Sequence, residues 1–268
     1  MTNYWPTYPD IWPFRAVYAA LLSPTQLRLS WELHADLKDA PAWRTYVQLN
    51  YHEEQPDQWQ TIVGPLHDTI YADITVPRPR GKVLGPYVRI KLETGNNTYY
   101  SKPRTLAAIT SRKLGIYSQA VIRRMSLQRT WMPRTRGWLL KRRTVGQACT
   151  CTDPLTGMST TATCMTCLGT GIVGGYWQAI KSSMLLLSEQ QRDDQWQAGQ
   201  MVVARRSGLI LGIPTAIQGD IWVDEPRNDR YVIQKSDPIE LYGIPVACNV
   251  ALEMIQHSDI IYQFQIND

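Results

Sequence analysis

Short alternating segments predict that this 268-residue chain is mainly β. Apolar and polar residues alternate over short runs in residues 16–108, and short apolar runs separated by Gly, Pro and Asp fill residues 178–268. Between them, a helical spacing occupies residues 110–132, and four of the five cysteines lie within residues 148–177. The predicted parts are an extended arm (1–15), a β-sandwich (16–108), a basic helix and linker (109–147), a four-cysteine loop (148–177) and a small β-barrel or sandwich (178–268).

The arm carries Pro6, Pro9 and Pro13 among aromatic residues. Proline fixes φ and restricts the residue before it, so the segment is predicted to be extended. Such an arm can lie on its own domain or on a neighbouring molecule. Aromatic residues with a polar tip are abundant in the whole chain, with 10 Trp and 14 Tyr against 2 Phe. That bias suits either protein interfaces or aromatic-rich β cores.

Residues 16–108 contain six or seven predicted strands, which at this spacing favour a β-sandwich. Gln26–Leu33 ("QLRLSWEL") places Leu27, Leu29, Trp31 and Leu33 on one face, and Arg44–Tyr51 alternates in the same way. The region resembles fibronectin type III domains. The resemblance lies in Trp31 on an early strand, "YVRIKLET" as a late strand, and "TYYSKP" as the exit strand.

The predicted helix is amphipathic and basic. Leu114, Tyr117, Val121 and Met125 form one stripe, Ser111 can cap its start, and Pro133 ends it. No Asp or Glu occurs from Thr94 to Thr152. The basic residues of the helix and of the linker after it are Arg112, Lys113, Arg123, Arg124, Arg129, Arg134, Arg136, Lys141, Arg142 and Arg143. Three interpretations remain open: a channel or footprint for DNA, a subunit interface that pairs with acidic groups, and a solvated helix face.

The four cysteines, Cys149, Cys151, Cys164 and Cys167, have the spacing C-x-C-x12-C-x-x-C. Two close pairs separated by such a loop can meet at one tetrahedral point, and thiolates are preferred zinc ligands. The spacing therefore predicts a closed structural Zn²⁺ site. Disulfides, reactive thiols and an iron–sulfur cluster are the alternatives. The second half, "CMTCLGTG", resembles the zinc module of J-protein chaperones over eight residues. Cys248 stands apart and is predicted to be a small buried apolar residue.

No catalytic pattern is present in the sequence. The four His residues are scattered, and there is no nucleophile elbow, P-loop or dinucleotide fingerprint. We therefore expect a protein that is not an enzyme. There is also no secretory signal and no apolar run long enough for a transmembrane helix. A soluble protein made in a reducing cytoplasm is expected.

The order of these parts resembles a family of tailed-bacteriophage virion structural proteins, and the most specific part of the match is Gly137 to Trp177. The segment "GDIWVDEPRNDRYVIQ" also resembles phage head–tail joining proteins, which build small β-barrels. The resemblance implies a ring of identical copies, sixfold or twelvefold, at the neck between portal and tail, assembled in the bacterial cytoplasm. Its implied partners are other neck, portal or tail proteins and the packaged DNA, with no membrane. A baseplate or tail structural protein and a zinc-dependent nucleic-acid-binding protein are the alternatives.

Overall fold

The computed structural model describes most of the chain as antiparallel β-structure. The described residues are 12–23, 26–34, 37, 43–51, 58–75, 86–95, 97–105, 134–153, 155–156, 159–161, 163–190, 205–211, 214–241 and 244–266. The predicted helix over 110–132 and the first eleven residues of the predicted arm lie outside them. The predicted mainly β class is confirmed. No helix among these residues is long and apolar enough to cross a membrane.

The chain forms two compact units. In the described part of the first unit there are eight strands: β1 (Phe14–Ser23), β2 (Gln26–Leu33), β3 (Trp43–Asn50), β4 (Gln60–His67), β5 (Tyr71–Thr75), β6 (Tyr87–Thr94), β7 (Asn97–Tyr100) and β8 (Arg104–Thr105). One sheet has the order β1-β2-β5. The other has the order β4-β3-β6-β7, and β8 also pairs with β6. The first strand therefore begins inside the segment predicted to be an extended arm.

Alternation of side chains gives each sheet of the first unit one buried face. Along β6, every second residue is buried, and Val88, Ile90 and Leu92 face inward. Trp31 is buried on β2, as its place in the alternating run predicts. Arg89 and Lys91 point to the opposite face of β6, where they lie over the rings of Trp59 and Tyr46.

The second unit is built around a closed six-stranded antiparallel barrel. Its strands are β9 (Arg134–Leu140), β10 (Ile180–Gln190), β11 (Arg205–Leu211), β12 (Ile221–Asp224), β13 (Arg230–Leu241) and β14 (Ile244–Met254). Around the barrel the order is β10-β11-β14-β13-β12-β9. Closure pairs every strand on both edges and leaves no sheet edge open. The choice between barrel and sandwich is thus settled as a barrel.

The two faces of the barrel wall have different neighbours. Leu140, Ile221 and Val223 pack against Tyr176 of the cysteine loop and Ile261 of a C-terminal 3₁₀ helix (Ile260–Gln263), so this face is the outside. The opposite face of β9 and β12 carries Leu139 and Trp222. Their cross-strand neighbours are Ile180 on β10 and Tyr231 on β13, and all four are buried. These side chains fill the inside of the barrel.

The position of β9 changes the predicted organisation. Residues 134–140 fall in the segment predicted to be helix and linker, yet they form a barrel strand that pairs with both β10 and β12. The four-cysteine loop therefore connects two neighbouring strands of one barrel, whereas the sequence suggested a connection between two β domains. Arg134 and Arg136 make the first half of "RTRGWLL" polar, so the segment has no clear strand pattern.

Candidate metal centre

Backbone hydrogen bonds close the cysteine loop onto the end of β9. The Arg143 N–H donates to the Gly175 carbonyl at 3.0 Å, and the Trp177 N–H donates to the Lys141 carbonyl at 2.9 Å. Further along, Cys149 N–H donates to the Gly171 carbonyl at 2.9 Å. The first and last thirds of the loop thus run antiparallel, and this brings the two cysteine pairs to one place.

The four sulfurs converge within a single small volume. All four Sγ atoms lie within 4.8 Å of one another. Cys149 Sγ is 3.6 Å from Cys164 Sγ, and Cys151 Sγ is 3.4 Å from Cys167 Sγ. A tetrahedral metal with sulfurs at about 2.3 Å holds those sulfurs about 3.8 Å apart. A disulfide needs about 2.05 Å, and all five cysteines of the chain are free. The cluster is therefore close enough to bind a metal ion.

The turn after Cys164 aims backbone N–H groups at its sulfur. The Leu168 N–H donates to the Cys164 carbonyl at 2.8 Å, which folds residues 164–168 into a tight turn. The Cys167 N–H, the Cys151 thiol and the Thr166 N–H, in decreasing order of effect, donate to Cys164 Sγ and lower its pKa to about 6. Hydrogen bonds to a thiolate favour the ionised form, which is the form that binds metals.

The pKa of Cys151 is shifted in the opposite direction. The Ser159 hydroxyl, 3.3 Å from its sulfur, lowers the pKa of Cys151, but the nearby thiols of Cys164, Cys149 and Cys167 outweigh it and raise that pKa to about 12. Several anionic sulfurs cannot share so small a space without a cation. Without a metal, the proton on Cys151 reduces the negative charge of the four sulfurs. A bound divalent cation would replace that proton.

Glycine is required at the point where the loop crosses the second cysteine pair. Gly175 has a φ of 65°, and a Cβ there would lie 2.7 Å from the Cys167 carbonyl oxygen. Leu168 and Gly169 also have positive φ, at 50° and 78°. Such left-handed residues reverse the chain tightly around the sulfurs.

Three of the predicted basic residues contact their own chain beside this loop. Lys141 Nζ donates to Asp220 Oδ2 at 2.6 Å and to the Thr215 carbonyl at 2.7 Å, and both charged side chains are buried. The Arg142 guanidinium donates to the Thr170 carbonyl at 3.1 Å. That of Arg143 donates to the Tyr176 carbonyl at 3.0 Å and lies over the Trp177 ring. Arg142 and Arg143 therefore contact the loop, whereas Lys141 contacts the segment that precedes Ile221.

The other basic residues are not brought together by the described structure. Arg136 is exposed on β9. Arg134 belongs to the same strand, but its side chain is outside the described part. The remaining candidates, Arg112, Lys113, Arg123, Arg124 and Arg129, also lie outside it. Cys248 is buried in the barrel, 2.8 Å from the Ser236 hydroxyl, as predicted for a small buried residue.

Asp220 is a structural residue that the sequence analysis did not single out on its own. Its Oδ1 accepts from the Arg142 N–H at 2.9 Å and its Oδ2 accepts from the Ile217 N–H at 2.8 Å. Burial raises the pKa of Asp220, while the Lys141 ammonium and these two N–H groups act against that shift. The only signal in the sequence was the Gly-Asp pair before an apolar strand.

No protein-family model, no curated protein and no solved structure matches this chain.

Proposed function

We propose that the four-cysteine cluster binds one Zn²⁺ as a structural site. Four sulfur ligands complete a tetrahedral shell and leave no position for a substrate. The sulfur separations and the N–H groups directed at Cys164 support this proposal. Zinc suits four thiolates better than Mg²⁺ or Ca²⁺ does, since those ions prefer oxygen ligands. Metal analysis of the purified chain tests it, with about one zinc per chain expected.

The first unit is proposed to be a fibronectin type III-like sandwich. Its strand order, β1-β2-β5 on one sheet and β4-β3-β6-β7 on the other, is compatible with that resemblance. The strand that carries Trp31 is the second, "YVRIKLET" is the sixth, and Thr98–Tyr100 belong to the seventh. Such a module is an interaction or spacer domain in many unrelated proteins, so it supports a structural role without defining one.

We infer that the protein is a structural component of a tailed-phage virion that forms a ring at the neck. The observation that carries this proposal is the fold of the segment "GDIWVDEPRNDRYVIQ". It provides β12 and the first part of β13, two adjacent strands of a closed barrel. A small barrel is what the resemblance to head–tail joining proteins implies for this segment. A position in the baseplate or tail is the alternative within the same class.

The contacts of the basic linker favour this proposal over a free nucleic-acid-binding protein. Lys141, Arg142 and Arg143 each donate to groups of their own chain, and Lys141 is buried in an ion pair. Cations used in this way are less available to phosphates, whose neutralisation dominates the affinity for nucleic acids.

Two measurements test the neck proposal. Peptide mass spectrometry of purified phage particles should detect the chain, and electron microscopy of the purified, zinc-loaded protein should show closed rings. Absence of the chain from purified particles would contradict the proposal. Zinc-loaded monomers that bind DNA with a steep salt dependence would favour the nucleic-acid alternative.

A further inference from the structure

The C-terminal segment lies across the outside of the barrel and meets the cysteine loop there. We call residues 255–266 the strap. Its Ile261 is buried in the apolar cluster on the barrel wall, and four other side chains of the strap pack against that cluster: Ile255, Tyr262, Phe264 and Ile266. Two residues of the cysteine loop take part in the same cluster, because Tyr176 is buried in it and Leu168 packs against it. The strap and the loop therefore cover one apolar wall together.

The loop residues of this cluster lie in the turns that hold the second cysteine pair. The Phe264 ring packs edge-on against the Tyr176 ring, with the ring centroids 6.2 Å apart. Tyr176 directly follows the glycine that must approach the Cys167 carbonyl closely. Leu168 directly follows Cys167, and its N–H donates to the Cys164 carbonyl at 2.8 Å. The positions of Tyr176 and Leu168 are thus set by the same turns that place the two sulfurs.

A second set of contacts holds the strap to the barrel itself. Arg230, at the start of β13, is buried, and its guanidinium donates to the carbonyls of Ile261 and Phe264, the latter at 3.0 Å. The Arg230 N–H donates to the Tyr262 hydroxyl at 3.0 Å, and that hydroxyl donates to the Ile255 carbonyl at 3.2 Å. On the barrel side these bonds come from Arg230, so they do not depend on the conformation of the cysteine loop.

We infer that docking of the strap is coupled to metal binding at the four cysteines. The inference rests on the proposed zinc site. A bound metal would hold the two cysteine pairs together and so keep Leu168 and Tyr176 in the cluster. Without the metal, the loop loses this cross-link while Arg230 stays in place, so the strap keeps only one of its two sets of contacts. Occupancy of the cysteine site then controls how well the strap covers the apolar wall that contains Ile221 and Val223.

Such a coupling acts in both directions by the same factor. If metal binding favours the docked strap, the docked strap raises the affinity for the metal equally. Phe264 is then a positioning residue for the metal site, although the strap supplies none of the four clustered sulfurs. A contact that stabilises the metal-bound and metal-free forms to the same extent would leave the metal affinity unchanged. Metal affinity therefore distinguishes coupling from simple packing.

Hydrogen exchange of the full chain with bound zinc, and after its removal by a chelator, tests the effect of the metal on the strap. With zinc, strap amides that donate hydrogen bonds, such as those of Ile255 and Tyr262, should exchange slowly. Zinc removal should speed exchange in the strap about fivefold or more, while peptides from β13 and β14 keep their protection. Unchanged exchange in the strap, or equal loss of protection in the strap and the barrel strands, overturns the inference. A chain that binds no zinc contradicts the proposed metal site as well.

The zinc affinity of strap variants, measured by competition with a chelator, tests the reverse direction. Phe264→Ala should lower that affinity about fivefold or more, because it removes the ring that packs on Tyr176. Phe264→Leu keeps an apolar side chain at this position and should recover most of the affinity. Tyr100→Ala removes an exposed aromatic side chain of the first unit, so it is the matched control and should bind zinc like wild type. Equal zinc affinities of Phe264→Ala and wild type would overturn the coupling and leave the proposed metal site standing.

Discussion

The four clustered thiols differ in how strongly each holds its proton, because each sulfur receives different hydrogen bonds. At pH 7 Cys164, with a pKa of about 6, is mostly thiolate, whereas Cys151, with a pKa of about 12, is protonated. Metal binding requires all four thiolates and therefore releases at least one proton at neutral pH. Apparent zinc affinity should rise about tenfold per pH unit for each proton released.

Below pH 6 the Cys164 thiolate also gains a proton, so the affinity should fall more steeply there. Competition with a chelator of known pH dependence measures the zinc affinity both above and below pH 6. An affinity that does not change between pH 7 and 8 would contradict this assignment of the protons.

Removing the second cysteine pair should abolish metal binding. The Cys164→Ser, Cys167→Ser double variant loses two of the four ligands, and zinc content should fall from about one per chain to near zero. Cys248→Ala is the matched control, because Cys248 is a buried cysteine outside the cluster, and it should keep its zinc. Equal zinc loss in both variants would place the metal elsewhere.

Removing one partner of the buried ion pair between Lys141 and Asp220 should lower stability, because the other charge is then buried without a partner. Asp220→Asn leaves the buried ammonium without its carboxylate, which should lower the free energy of unfolding by about 3–5 kcal/mol. Lys141→Met combined with Asp220→Asn removes both charges and should recover part of that loss. Urea denaturation of the single and double variants forms the necessary cycle. Strictly additive losses would show that the two groups are not coupled.

Among the elements, β9 depends on one glycine that permits close packing. A Cβ at Gly137 would overlap the Val223 carbonyl oxygen and lie 2.7 Å from the Trp222 ring inside the barrel. Backbone cannot move away as a flexible side chain can, so Gly137→Ala should cost about 1–3 kcal/mol or prevent folding of the barrel.

Gly208→Ala is the matched control for that prediction. A Cβ at Gly208 on β11 would first meet the sulfur of Met184, at 2.6 Å. The methionine side chain can rotate away, so this variant should lose less stability than Gly137→Ala. Urea denaturation compares the two, and an equal loss would show that backbone overlap at Gly137 is not decisive.

At the scale of the whole molecule, the acid-free span from Thr94 to Thr152 concentrates positive charge in one part of the chain. Arg123→Glu with Arg124→Glu should block head–tail joining, because it reverses two charges in the segment proposed to contact DNA or an acidic neighbour. Complementation of a phage that lacks the gene, scored as the yield of joined particles, measures the effect. Lys38→Glu with Lys82→Glu serves as a charge-matched control outside that span. Normal yield from the Arg123, Arg124 variant would contradict the proposed role.

The sequence alone determined the β class and the composition of the cysteine cluster. Alternation in segments such as "YVRIKLET" fixes which residues of a strand face the core, because successive side chains point to opposite faces. Trp31 and the inward residues of β6 follow that rule. Likewise, the spacing of Cys149, Cys151, Cys164 and Cys167 predicted the four cysteines that the structure brings within 4.8 Å of one another.

Only the tertiary structure decided how these parts are connected. Residues 134–140 show no clear alternation of apolar and polar groups, since both faces of β9 are covered: Leu139 faces the inside of the barrel and Leu140 packs under the loop. That burial depends on partners far away in the sequence. The pairing of Lys141 with Asp220, 79 residues apart, has the same origin. The local sequence pattern predicts which way a side chain points. Barrel closure and buried ion pairs depend on contacts that form only when the whole unit folds.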